Sequence, residues 1–153
     1  MSNVTAPSNR IAAMSESSVQ RVRALEAVVG SLPQTELSTR HLIHAGMYAR
    51  TITIPADMVM TGVFIKIPTT LIVQGDVHMC VDDGVVELNG YNVLPASAGR
   101  KQAFITRSEV HMTMLFATGA KTVEQAEAEF TDEVDILVSR RDGSRDTITI
   151  TGD

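Results

Sequence analysis

The sequence holds no tryptophan, one cysteine, two tyrosines and four phenylalanines among its 153 residues. A single thiol, Cys80, excludes an intrachain disulfide and a thiolate metal cluster, so the fold must stand on its apolar core; Cys80 itself reads as a small buried core residue. Positive charge is also scarce. Thirteen Lys and Arg face 18 Asp and Glu, for a net charge of -5. No basic run compensates locally, which excludes nucleic acid as a direct partner. No stretch approaches the roughly 18 consecutive apolar residues of a membrane-spanning helix, and Met1 to Arg10 lacks the apolar segment of a signal peptide, so neither membrane nor classical secretion is expected. Catalytic signatures are missing too: there is no Gly-x-Ser-x-Gly elbow, phosphate-binding glycine loop or His-Glu-x-x-His.

What is present is a hydrophobic fraction of 44%, enough for a globular core, and a dense set of strand and turn signals. The centre is Thr69 to Gly90, where β-branched runs meet at Asp83-Gly84, a dipeptide suited to a tight two-residue turn, and Asn89-Gly90 closes the next strand. Period-two alternation begins at Tyr48, with Ile52 and Ile54 on one face. Strands are expected over Met58–Lys66, Thr69–Val81, Val85–Leu88, Asn92–Leu94, Gln102–Thr106 and Val110–Ala117. Short strands without intervening helices predict an antiparallel sandwich or barrel.

Three units follow. Residues 1–36 comprise a flexible Ser, Asn and Pro-rich arm and an amphipathic helix capped by Ser15 or Ser17, with Val19, Val22, Leu25, Val28 and Val29 at helical spacing until Gly30 and Pro33. That apolar face suits either a lid on its own domain or a partner-binding surface. Residues 37–131 form the barrel and a short helix, Thr122–Phe130, capped by Thr122. Residues 132–153 are a tail whose Thr147-Ile-Thr-Ile-Thr151 alternates like an edge strand, of this subunit or another.

Four histidines invite a metal reading. His41 and His44 would share one face of a helical turn, yet no third ligand lies at a recognisable spacing, so ordinary polar positions are expected. His78 and His111 alternate against Val77, Met79, Val81 and Met112, Met114, Phe116, which turns both outwards if that face is the core. Cys80 and His78, neighbours on one strand face, are not expected to form a catalytic pair. Met58, Met60, Met79, Met112 and Met114 read as adaptable core filling.

Taken together, Ile52–Ala56, Leu71–Val77, Asp82–Gly84, Leu88–Gly90 and Val93–Gly99 resemble the skeleton of the cupins, small jelly-roll barrels. The resemblance covers about residues 48–117 and implies an all-β fold, a cupin-like antiparallel jelly-roll barrel with an N-terminal helix and a short C-terminal helix plus tail. Metal-dependent cupins carry a His-x-His pair, a Glu and a later His. Here the corresponding positions hold Gly62 and Phe64 (or Thr61 and Val63), Pro68 and Gln102. The resemblance therefore implies a barrel without the metal ligands, and no metal, cofactor or catalytic residue is assigned.

Two functions are compatible with the sequence. One is a non-catalytic structural or interaction protein that assembles through its terminal arms, a homo-oligomer or larger assembly located in the cytoplasm or in a virion such as a bacteriophage head-decoration or tail-attachment component. In that reading Val19, Val22, Leu25, Ile148 and Ile150 contact protein partners. The alternative is a small-molecule binding protein or metal-free isomerase using the barrel mouth, which requires Arg50, Lys66, Gln102 or His111 to project inwards. A packed apolar interior favours the first and a polar cavity the second.

Overall fold

The computed structural model describes residues 10–82, 84–141 and 145–153. A helix, α1 (Glu16–Gly30), precedes nine strands: β1 (Ser38–His44), β2 (Met47–Ile54), β3 (Val59–Thr61), β4 (Thr69–Gln74), β5 (Val77–Val81), β6 (Gly84–Leu88), β7 (Tyr91–Ala96), β8 (Ala103–Thr106) and β9 (Val110–Ala117). Two short helices, α2 (Val123–Phe130) and α3 (Val138–Arg141), and a last strand, β10 (Thr147–Ile150), complete the chain. The central eight strands build two sheets, in the orders β2-β9-β4-β7 and β3-β8-β5-β6. Successive strands thus alternate largely between facing sheets, the winding of a jelly roll, and its antiparallel pairing matches the expected all-β cupin-like fold. β1 and β10 widen the first sheet to six strands.

The core forms where the period-two residues of both sheets meet. Val73, Val77, Met79 and Val110 have no exposed surface. Tyr48, Phe116 and Phe130 close one end, with ring centroids 5.6 Å apart for Tyr48 and Phe116 and 6.4 Å for Tyr48 and Phe130. The scarce aromatics are thus concentrated where α2 covers the larger sheet. Of the expected methionine filling, Met79 and Met114 are buried, while Met60 and Met112 pack against the core partly exposed.

Several expectations need correction. The run expected as one strand over Thr69–Val81 is two strands in different sheets, because the chain breaks at Gly75. Gly75 adopts φ +125, and a Cβ there would lie 2.5 Å from the Glu109 carbonyl oxygen. This corner turns the chain from one sheet to the other, and only glycine fits it. The expected strand Met58–Lys66 shrinks to Val59–Thr61, followed by a lone bridge from Ile65 to Arg100. In the β5–β6 hairpin Val81 pairs with Gly84, so Gly84 sits at the end of the turn and not inside it; Asp83 lies outside the described residues.

His41 and His44 stand on a strand and not on a helical turn. A separation of three then sends them to opposite faces, His41 inwards and His44 outwards.

The terminal segments also have folding roles of their own. Residues 1–9 of the expected flexible arm lie outside the described residues, but Ile11 is buried and its N–H donates to the Pro95 carbonyl at 2.9 Å. The helix starts as expected, with the Ser15 hydroxyl accepting from the Ser18 N–H. It lies on the barrel, where Val19 and Val22 are buried against this chain and Leu25 is half-buried. Lys101, fully buried, fastens it: its Nζ lies 2.8 Å from Glu26 of the helix and 3.2 Å from Glu133, which also binds Arg23 at 2.8 Å. β10 pairs in parallel with β1, Ile148 beside His41 and Ile150 beside Ile43.

Candidate functional site

Inside the jelly roll, between the two sheets, lies a cavity of about 100 Å³. Its walls are mainly apolar side chains, among them Leu71, Phe104, Met112 and Met114, with four polar ones, Arg50, Thr61, Arg100 and Gln102. Met60, Thr61, Ile136 and Val138 border both this cavity and a surface groove between the end of α1 and β3, so the wall between them is one residue thick.

The polar end comes from one short segment. Arg100, Lys101 and Gln102 are extended just before β8, and alternation sends Arg100 and Gln102 into the cavity and Lys101 to the carboxylates outside. Arg100 is buried, and its guanidinium donates to the Ser97 carbonyl at 2.7 Å and the Thr69 hydroxyl at 2.7 Å, with a longer contact of 4.0 Å to the Met114 sulfur. No carboxylate among the described residues pairs with it. Burial alone pulls its pKa down to about 10, which still leaves it a cation at neutral pH. Gln102 is also buried, and its Nε2 has no hydrogen-bond partner. An unpaired buried cation beside an unspent amide donor is costly in an apolar wall. Together they make a corner that attracts an anion.

Arg50 contributes differently because its charge is already compensated. Its Nη1 lies 2.8 Å from the Ser139 hydroxyl and 3.4 Å from Glu127, and the guanidinium carbon stands 5.7 Å from the Phe130 ring centre. Glu127, 2% exposed, further accepts from the Ser139 hydroxyl at 2.6 Å and from Arg140 Nε at 2.9 Å. This cluster ties α2 and α3 to β2.

A second buried chain runs beside it. His41 Nδ1 lies 2.7 Å from the Tyr48 hydroxyl and its Nε2 lies 3.3 Å from Asp146 Oδ2. None of the three lines the cavity, so the trio is a structural tie between β1, β2 and the approach to β10. Burial, then the Arg50 charge, lower the His41 pKa, and Asp146 only partly offsets them. A histidine held neutral when folded favours the folded state above its ordinary pKa, and that advantage is lost as pH falls below about 6.5, where the unfolded chain takes up the proton first. We expect the urea midpoint to drop between pH 7.5 and pH 5.5, and His41→Gln to flatten that slope. An unchanged slope in the variant would assign the effect to another group.

The residues proposed from sequence separate clearly. Gln102 and Arg50 do project inwards, whereas Lys66 pairs with Asp132 at 2.6 Å near the surface. His78 and His111 turn outwards as expected, beside Glu87 and Glu109. Ile148 and Ile150 are half-exposed on the edge strand. Arg100, the residue that gives the cavity its charge, was not singled out by the sequence.

The cavity does not fit the divalent metal of the metal-dependent barrels. Among the described residues its lining contains no histidine, cysteine, aspartate or glutamate, Pro68 is exposed, and no group of three such ligands occurs. The uncompensated Arg100 guanidinium on the wall would also repel a cation.

No protein-family profile matches the sequence, and no curated protein matches it either. Solved structures similar in fold include a cupin superfamily protein from Desulfitobacterium hafniense, 14% identical over 57% of this chain and 83% of that one, with a TM-score of 0.45. The cupin domain of Cnp3 from Schizosaccharomyces pombe is 17% identical over 69% and 81%, at 0.45. A cupin-2 domain protein from Shewanella frigidimarina is 12% identical over 65% and 98%, at 0.44. At these identities and scores the likenesses carry no functional argument, and the site is read from its own residues.

Proposed function

We propose that this barrel is a metal-free binding module for a small organic carboxylate, held by Arg100 and Gln102 with its carbon chain against Leu71, Phe104 and the methionines. The observation that carries this reading is the buried Arg100 guanidinium without a carboxylate partner, lining a cavity next to the unpartnered Gln102 amide. A carboxylate supplies what both lack, and charge-assisted, forked hydrogen bonds to guanidinium are among the stronger polar contacts available. Size narrows the class. The cavity, at about 100 Å³, is smaller than the roughly 150 Å³ space that accepts a benzene ring, so a short-chain acid fits better than an aromatic one.

Binding, and not turnover, is the reading because, among the described residues, the lining offers no group that titrates near neutral pH: its only ionisable side chains there are arginines. The test is calorimetry with butyrate and with butylammonium, which share a chain length and differ in charge. Butyrate is expected to saturate one site per chain and raise the melting temperature; butylammonium should do neither. Arg100→Met should abolish the butyrate response while keeping a cooperative melt, since an apolar side chain of similar length removes a buried charge that has no counter-ion. Equal responses to the two probes, or undiminished butyrate binding by Arg100→Met, would overturn the proposal.

A further inference from the structure

The first sheet ends on β10, and nothing among the described residues pairs with its outer side. Open edges normally carry a defence such as a proline, an inward lysine or a covering segment. The opposite edge of the same sheet has two of these: Pro95 lies within β7, and Ile11 bridges Ala96 beside it. β10 has neither. It is uncharged and proline-free, and Ile148 and Ile150 leave 53% and 49% of their surface exposed.

The direction of its free hydrogen-bonding groups follows from its inner pairing. The Thr151 N–H donates to the Ile43 carbonyl at 3.1 Å. Alternation along the strand then turns the peptide groups of Thr147 and Thr149 towards β1, and those of Ile148 and Ile150 outwards. The two unspent donor and acceptor pairs thus belong to the same residues as the half-exposed side chains.

The stretch Thr147-Ile-Thr-Ile-Thr151 reads the same in both directions. From this we infer that β10 is the interface with a second copy of the chain, paired antiparallel about a two-fold axis at Thr149. In that register Ile148 of one copy faces Ile150 of the other, and the two exchange both main-chain hydrogen bonds; the two Thr149 residues meet at the axis as a non-bonded pair. The Ile148 and Ile150 side chains, which share the face of His41 and Ile43, would then form one isoleucine cluster across the seam. A heterologous partner would need no palindrome. A two-fold contact is self-complementary by construction, and a palindromic strand satisfies it without adjustment.

A seam of one short strand buries less than the roughly 1,200 Å² of a standard stable complex, so association in the micromolar range is expected. Sedimentation of the full chain over about 1 to 200 µM should show the mass rise from 16.5 kDa towards twice that value. Ile148→Lys combined with Ile150→Lys should remain at the monomer mass throughout. The second measurement, which leaves both isoleucines in place, is cross-linking. In a Cys80→Ser background, Thr149→Cys should form a disulfide-linked dimer on mild oxidation, since non-bonded antiparallel partners lie about 4.5 Å apart at Cα. Thr147→Cys should not, its two copies being displaced by about 13 Å along the strands. A wild-type monomer at every concentration, or equal cross-linking of the two cysteine variants, would overturn the inference.

Discussion

Gly75→Ala is expected to lower stability by roughly 3 to 5 kcal/mol, about 10 °C or more in melting temperature. Two costs coincide at this residue. The backbone is at φ +125, which side chains with a Cβ rarely adopt, and the new Cβ would meet the Glu109 carbonyl oxygen at 2.5 Å and Val110 at 3.0 Å. Val110 is fully buried in β9, so moving it disturbs the pairing of β9 with both β2 and β4. Gly46→Ala is the control. Gly46 also has a positive φ, +69, but no atom lies within 4 Å of its added Cβ. It should cost only about 1 kcal/mol, the strain of the left-handed conformation alone. Equal losses for both variants, measured by urea denaturation, would mean that the β4–β5 corner does not pack as described.

Glu127→Gln is the second large effect, with an expected loss of about 3 to 5 kcal/mol. The substitution preserves shape and removes the charge that compensates Arg50, which is 5% exposed and has no second carboxylate within salt-bridge distance among the described residues. It also weakens the bonds from Ser139 and Arg140 that hold α3. The double variant Arg50→Met, Glu127→Leu should recover much of the loss, because it removes both buried charges together. A double variant as unstable as Glu127→Gln would show that packing by α3, and not an unpaired charge, sets the cost.

Much of the barrel was legible because its rules are local. Alternation in Tyr48–Ile54 and Val110–Ala117 and the turn residues at Gly84 and Gly90 needed no knowledge of distant partners. The break at Gly75 was not legible, since Thr69–Val81 is continuously strand-like and the reason for the corner is a carbonyl group 34 residues further on. The docking of β10 on β1 joins segments about 107 residues apart in parallel, and no local pattern encodes that choice. Lys101 is a similar case: a lysine in a polar triplet gives no sign that Glu26 and Glu133 will enclose it.

The candidate site was half legible. Gln102 stands where a metal-dependent barrel would place a histidine, and Arg50 is named among the residues that a binding barrel would need to turn inwards. Arg100 escaped because Arg100-Lys-Gln102 is polar at all three positions, so hydrophobicity does not say which of them face inwards. The signal lay two residues further on. Phe104 lines the cavity, and stepping back from it in twos along an extended segment reaches Gln102 and then Arg100.

In the proposed binding mode a carboxylate reaches the Arg100 guanidinium. The most direct measurement is a butyrate titration of protein carrying ¹⁵N-labelled arginine, followed through the guanidinium resonances by NMR and assigned with Arg100→Met. The Arg100 resonance is expected to move and saturate with one butyrate per chain, while the exposed arginines shift little. An Arg100 resonance that stays in place through a saturating titration would contradict it.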